Sequence, residues 1–421
     1  MNATKDLTDR GGSARRVLMK IGMKDNPRLP RILGGMVVMG FVVVAGCRQP
    51  SALDNDLSPL CRSDGGGSEW TLVDSVILRE SDSLFVARPT ITFRVDQEGG
   101  IYVPDVGSNR LLVFEPSGSP SHALGQPGGG PGEFQRIGPF GYVDSQYVIQ
   151  EDNGGRPLNF YRRATGSFIG AVRYTGHLSW VSSADSGGYL VGLIDPSLEA
   201  PISILSRADL TNLEDGASVE LEPSLAPPPD VYRKYPLLNA WVDAKAASNG
   251  NATIVAFGGT DFLTVNAEGR PHPDTIPIPI CRRRGVKQDA LDAHFRRSPR
   301  SAKEDRVSAE TTTSAISALL GLWRLTDGSI LVWQQDPTLE SNGRILKGTA
   351  YVTVVTPDLR SACVDARFEA PGIGRANLSV HNDTLLVLDQ VVPEESERSM
   401  TVVRKYVLNT SGCRWVRLAV K

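Results

Sequence analysis

After Arg88 the chain is built from short apolar runs broken by Gly, Asn, Ser and Pro, with no sustained helical period. Residues 89–134 show the pattern most clearly: PTITFRVDQEGGIYVPDVGSNRLLVFEPSGSPSHALGQPGGGPGEF. The spacing predicts a strand over ITFRV, a tight turn at Asp96–Gly100, a strand over IYV, a loop, a strand over RLLVF and a turn at Pro116–Gly118. A weaker fourth strand precedes the Gly-rich GQPGGGPGEF, which joins one unit to the next. Four antiparallel strands in about 45 residues make a small sheet of the kind that repeats around a ring.

The unit recurs. An apolar strand ends within a few residues in Asp six times, at Asp105, Asp152, Asp195, Asp261, Asp336 and Asp389. The intervals are 47, 43, 66, 75 and 53 residues, which suit units of about 45 residues with insertions. The expected fold class is therefore all-β: a six-bladed β-propeller of four-stranded antiparallel blades over residues 68–421. A single small sheet cannot bury both its faces, but a ring of sheets buries each against its neighbours and leaves only short edges. Two β-sandwiches are the competing arrangement, and the sixfold Asp series argues against them. The strand WTLVDSVIL, Trp70 to Leu78, lies outside the count. It is expected to close the ring beside the last strands, Arg404 to Val416.

The first unit resembles the NHL repeat of six-bladed propellers. The resemblance rests on Asp96, Gly99, Ile101, Tyr102, Val103, Asp105, Asn109, Arg110, Val113, Phe114 and Gly118, followed by Gly132, Glu133 and Phe134. Pro104 stands where the repeat usually has a small residue before its Asp. The match covers one blade well and the others loosely.

The N-terminal segment reads differently. Residues 1–46 hold eight of the 45 Lys/Arg and three of the 47 Asp/Glu, so the remainder carries 37 against 44, a net of −7. A body of that sign is a poor general binder of nucleic acid. Lys24, Arg28 and Arg31 precede an apolar run from Ile32 to Gly46, which is short for a membrane span but long enough for a signal-peptide core. The ending Val44-Ala45-Gly46-Cys47 resembles the lipobox of bacterial lipoproteins. That resemblance implies cleavage after residue 46, acylation of Cys47 (a palmitate-type anchor) and a lipid-held position at the cell envelope, on the outer membrane or the periplasmic face. Arg48 after Cys47 is compatible with outer-membrane sorting. Arg15-Arg16 resembles a twin-arginine export motif, set far from the apolar run; Met19 and Met23 are alternative starts to Met1. Residues 47–67 read as a lipidated Cys and a flexible tether rich in Ser, Asp, Pro and Gly.

Four further Cys follow: Cys61, Cys281, Cys363 and Cys413. In an exported chain they can form disulfides, and three connectivities are open. Because the termini are expected to share a blade, Cys61–Cys413 is the favoured pair. The Cys are too scattered for a zinc site.

The loop after each second strand and the residue that opens each blade share one face of the disk. That face gathers the six Asp with Arg88, Arg136, His177, Asn239 and Arg375 as candidate binding residues. Each Asp is expected to accept hydrogen bonds from turn N–H groups or to pair with a nearby Arg, as Arg110 follows Asp105. A carboxylate ring for calcium is the alternative; otherwise no cofactor is expected. Propellers with lyase activity place three zinc-binding His where blades open, and only His177 occupies such a slot, since His381 falls inside a strand and His122, His272 and His294 in turns or loops. Residues 282–318 form a basic insertion ahead of the fifth blade. Its stretch 282–306 holds nine Lys/Arg and four Asp/Glu, and reads as a docking loop for an anionic partner or as a solvated insertion. No serine-hydrolase elbow, phosphate loop or dinucleotide fingerprint is present. The sequence thus points to a binding lipoprotein whose propeller face takes a protein, peptide or glycan. A metal-dependent hydrolase or lyase, and an adaptor in an envelope complex, are the alternatives.

Overall fold

The computed structural model describes residues 69–419, apart from 90–91, 156, 185–186, 195–201, 222, 226–243, 251, 258–261, 268–272, 279–317, 336–337, 340–344, 347–349, 369–377, 392–398 and 414. It begins with β1 (Glu69–Leu78), which belongs to the last sheet. Blade 1 is β2 (Arg94–Val95), β3 (Ile101–Asp105), β4 (Arg110–Phe114) and β5 (Pro120–Leu124). Blade 2 is β6 (Ile137–Val143), β7 (Tyr147–Asp152), β8 (Pro157–Arg162) and β9 (Phe168–Arg173). Blade 3 starts with β10 (His177–Ser183), β11 (Tyr189–Ile194) and β12 (Ile202–Leu205). Helix α1 (Arg207–Glu214) and β13 (Val219–Glu220) then cross to blade 2, where β13 adds a parallel fifth strand beside β9, before β14 (Pro223–Leu225) completes blade 3. Blade 4 is β15 (Ala244–Asn249), β16 (Ala252–Phe257), β17 (Phe262–Ala267) and β18 (Asp274–Pro277). Blade 5 is β19 (Ala318–Arg324), β20 (Ile330–Gln335), β23 (Ala350–Val355) and β24 (Ser361–Phe368); the small hairpin β21 (Thr338–Leu339) and β22 (Ile345–Leu346) rises between its second and third strands. Blade 6 is β25 (Leu378–His381), β26 (Thr384–Val391) and β27 (Met400–Asn409), with β1 as its outer strand. The last strand, β28 (Trp415–Arg417), returns to blade 5.

The six sheets form a propeller, and its packing explains the continuous apolar runs. In β3, Ile101 and Val103 pack toward blade 6 while Tyr102 packs toward blade 2. In β4, Leu112 and Phe114 face blade 6 and Leu111 and Val113 face blade 2. Blade 5 repeats this: Ile330 and Val332 face blade 4, and Leu331 and Trp333 face blade 6. Successive side chains of a strand point to opposite faces, so a sheet covered on both sides needs apolar residues at every position. Neighbouring blades therefore share cores, at 1–2, 2–3, 4–5 and 5–6 among the described residues, and the contact of blade 6 with blade 1, through Leu386, Leu388 and Val403 against Phe93 and Phe114, closes the ring.

Closure uses both termini, as expected, though with a different last step. β1 pairs antiparallel with β27 from Glu69↔Asn409 to Leu78↔Thr401. Residues beyond 409 leave this sheet, and β28 pairs with β24 through Ala362↔Val416. Gly118 lets the outer turn of blade 1 seat against β1: its φ is +80°, and a Cβ there would lie 2.2 Å from the Ile77 carbonyl oxygen. Arg79 N–H then donates to Gly118 O at 2.8 Å.

The disulfide expectation is corrected. Cys413 bridges Cys363, with Cα atoms 5.4 Å apart. The return of β28 to blade 5 carries Cys413 to β24, where Cys363 lies buried opposite Trp415. Cys61 and Cys281 lie outside the described residues, as do Cys47 and the basic insertion apart from its last residue. His122 is also corrected from a turn to β5, the outermost strand of its blade, where a polar sequence is tolerated because one edge faces solvent.

Candidate functional site

The face that carries the ends of the second strands is built by a repeated lock. In blade 1 the buried Asp105 carboxylate accepts from Arg88 N–H at 2.5 Å and from Ser108 N–H at 2.7 Å. Val106 N–H returns a bond to Arg88 O at 2.8 Å. Blade 2 repeats the arrangement. Asp152 accepts from Gln135 N–H at 3.2 Å, Arg136 N–H at 2.9 Å and Gly154 N–H at 3.1 Å, and Asn153 N–H donates to Arg136 O at 2.8 Å. The Asp thus ties the start of its blade to the loop leaving its second strand. The backbone of Arg88 and Arg136 is consumed in this lock, and their side chains are left exposed on the face. His177 opens β10 opposite Ile194 and is exposed as well.

The remaining motif residues also hold blades together. Asn109, at φ 55°, donates from Nδ2 to Phe134 O and accepts from Ile137 N–H at 2.6 Å, so it pins blade 1 to the start of blade 2. Tyr161 Oη donates to Gly132 O at 2.9 Å, and Asn159 Nδ2 donates to Glu133 O at 3.2 Å. The opposite face is tied by charge. Arg163, in the outer turn of blade 2, pairs with Asp96 at 2.9 Å and with Glu98 in the inner turn of blade 1. Tyr102 Oη donates to the same Asp96 at 3.1 Å.

The two inner strands of the blades hold further groups that carry no sequence motif. β6 carries extra residues between Ile137 and Gly141, and Gln150 Nε2 donates to the carbonyls of Gly138 at 2.7 Å and Phe140 at 3.1 Å within this bulge. Glu151 is buried, accepting from Phe140 N–H at 3.4 Å and Tyr174 Oη at 3.1 Å. Burial pushes its carboxyl up to about 7; the two hydrogen bonds offset part of the rise, and the neighbouring Asp152 adds to it. Lys245, buried on β15 of blade 4, reaches across to blade 3, donating to Ser179 O at 3.2 Å and Oγ at 3.0 Å, with its Nζ 5.8 Å from the centre of the Phe140 ring of blade 2. Arg94 on β2 donates from Nε to Gly141 O at 2.5 Å and from Nη1 to Phe93 O at 2.8 Å. The available signal was a charge set inside a short strand between buried neighbours, as in FRV and AKAAS.

The candidate site residues therefore separate. Arg88, Arg136 and His177 share one face. Asp105 and Asp152 stand beneath it as backbone acceptors. Their oxygens are directed at N–H groups, which does not fit an open carboxylate ring for calcium. Asp389 departs from the pattern, pairing with Arg404 at 3.4 Å. Asn239, Arg375, Asp195, Asp261 and Asp336 lie outside the described residues. Among the described residues no group of three or more His, Cys, Asp or Glu could hold a metal, and no helix is long and apolar enough to cross a membrane.

No family model matches the chain, and no curated protein matches it. Among solved structures it is similar to a member of the DUF4221 family from Bacteroides vulgatus, at 11% identity and a TM-score of 0.49, over 82% of this chain and 99% of that one. It is also similar to virginiamycin B lyase from Staphylococcus aureus, at 9% identity and a TM-score of 0.41, over 81% and 100%. A third is BamB from Moraxella catarrhalis, at 12% identity and a TM-score of 0.34, over 80% and 97%. Identities of this size speak to no shared activity.

Proposed function

We propose that the protein is an envelope lipoprotein, lipidated at Cys47, whose NHL-like propeller binds a protein, peptide or glycan without catalysis. The observation that carries this reading is the backbone lock that seats Arg88 and Arg136 on one face and leaves them exposed, with the exposed His177 opening β10 on that same face. Exposed, rigidly seated cations and an imidazole on a loop-rich face suit recognition of a polar or acidic partner surface. Cys47, with its preceding basic and apolar segments, supports the anchor, and the basic insertion 282–318 would extend the same face.

The test is retention of envelope components by the full chain on native membranes. The Arg88→Glu/Arg136→Glu double variant should lose what the wild type retains, whereas Glu98→Arg on the opposite face should keep it. Equal retention by both variants would refute the assignment of the face. Substrate turnover abolished by the double variant would move the reading to catalysis.

A further inference from the structure

Arg94 sits in the innermost strand of blade 1. Its neighbours Phe93 and Val95 pack toward blade 6, so its own side chain turns the other way and reaches blade 2. There its two hydrogen bonds go to carbonyl oxygens, those of Gly141 and Phe93, and no carboxylate pairs with it among the described residues. A guanidinium has five N–H donors, so the Nη2 edge and one Nη1 proton are uncommitted. Lys245 approaches the bulge from the other side: while donating to Ser179, its Nζ lies 5.8 Å from the ring centre of Phe140, the residue next to Gly141. Both basic groups thus converge on the β6 bulge from blades 1 and 4, at the inner edge of the ring. The buried carboxyls beside the bulge are held elsewhere, Glu151 by Tyr174 and the Phe140 N–H and Asp152 by the backbone of Gln135 and Arg136.

We propose that this inner edge is a binding site for a small oxyanion, a carboxylate or a phosphate, gripped by the free fork of Arg94. The planar fork matches two oxygens of such a group, which a spherical chloride cannot reproduce. Desolvation by the surrounding protein pulls the half-buried Arg94 guanidinium down to about 10, and a bound oxyanion would supply a counter-ion. The site is distinct from the loop face, and neither depends on the other.

The test is thermal melting and calorimetric titration of the purified full chain with inorganic phosphate and, separately, with acetate, ionic strength being held constant with chloride. The expected result is a concentration-dependent rise in Tm with at least one of the two anions over chloride, the responding anion telling phosphate from carboxylate. Arg94→Gln should remove that rise, and Arg417→Gln on the outer strand β28 should leave it unchanged. Arg94→Lys keeps a charge but not the fork; it should weaken the dissociation constant by about tenfold or more, and it decides the matter if Arg94→Gln does not fold. No response to either anion beyond chloride, or the same response in the Arg94→Lys variant, would overturn the proposal.

Discussion

At the scale of single residues, the same amino acid does different work according to where its strand stops. β3 and β7 end at Asp105 and Asp152, so turn N–H groups follow at once and the carboxylates accept them. β26 runs on past Asp389 to Val391, so Asp389 faces Val402 in mid-strand and its carboxylate turns to Arg404 instead. The turn-accepting roles of Asp105 and Asp152 were legible in the sequence because turn residues follow each at once, but the exception at Asp389 was not, because strand length beyond the Asp depends on pairing with β27. Asp105→Ala leaves the part-buried N–H groups of Arg88 and Ser108 without an acceptor and should cost about 1–2 kcal/mol in chemical denaturation. Asp389→Ala breaks a partly exposed ion pair and should cost about 1 kcal/mol or less. Glu151 supplies a pH dependence. Its folded-state value of about 7 lies above the ordinary 4.5, so the folded protein holds the proton more tightly. The contribution of Glu151 is most favourable below pH 4.5 and declines as pH rises toward 7, by about 3 kcal/mol in all. Glu151→Gln should therefore gain stability over wild type progressively between those pH values, measured as the difference in unfolding free energy at pH 5 and pH 8. A difference independent of pH would contradict the burial of an ionisable carboxyl there.

At the scale of elements, the inner strands were the easier to read. Strands buried on both faces announce themselves as unbroken apolar runs, as RLLVF does in β4. Outer strands carry polar residues on an open edge, so β5, with His122, and β28 are faint in the sequence, and β13 is not visible as a strand at all. The disulfide followed from this blind spot: without β28 on blade 5, nothing in the spacing brings Cys413 to Cys363. The bridge spans 50 residues of sequence and encloses the whole of β25, β26 and β27. Chain entropy gives a loop of that length about 4 kcal/mol of stabilisation. Cys413→Ser and Cys363→Ser should each lower stability by up to that amount and abolish the shift between reduced and non-reduced melts. Peptide mapping under non-reducing conditions should recover a Cys363–Cys413 pair.

At the scale of the whole molecule, stability comes from a ring in which every blade leans on two others. β1 joins the two ends of the chain and is further held by the Asp74–Lys405 ion pair at 2.8 Å and the seat on Gly118. Removal of residues 69–78 uncovers β27 along its length and opens the outer layer of blade 6. Because a domain's net stability is only about 5–15 kcal/mol, the truncated chain should show no cooperative thermal transition. The repeat made this ring legible from sequence, including its count of blades. It said little about the site, because the motif residues Asn109, Gly132 and Glu133 are spent on joining blades, and the groups proposed for binding carry no motif. What the protein recognises is tested most directly by placing a photo-crosslinking residue at Arg88, Arg136 or His177, and in parallel at Glu98 or Asp327 in the turns of the opposite face, within living cells. Specific adducts from the first set, absent from the second, are the expected result. Adducts confined to the second set, or none from either, would contradict the assignment of the Arg88–Arg136–His177 face as the binding surface.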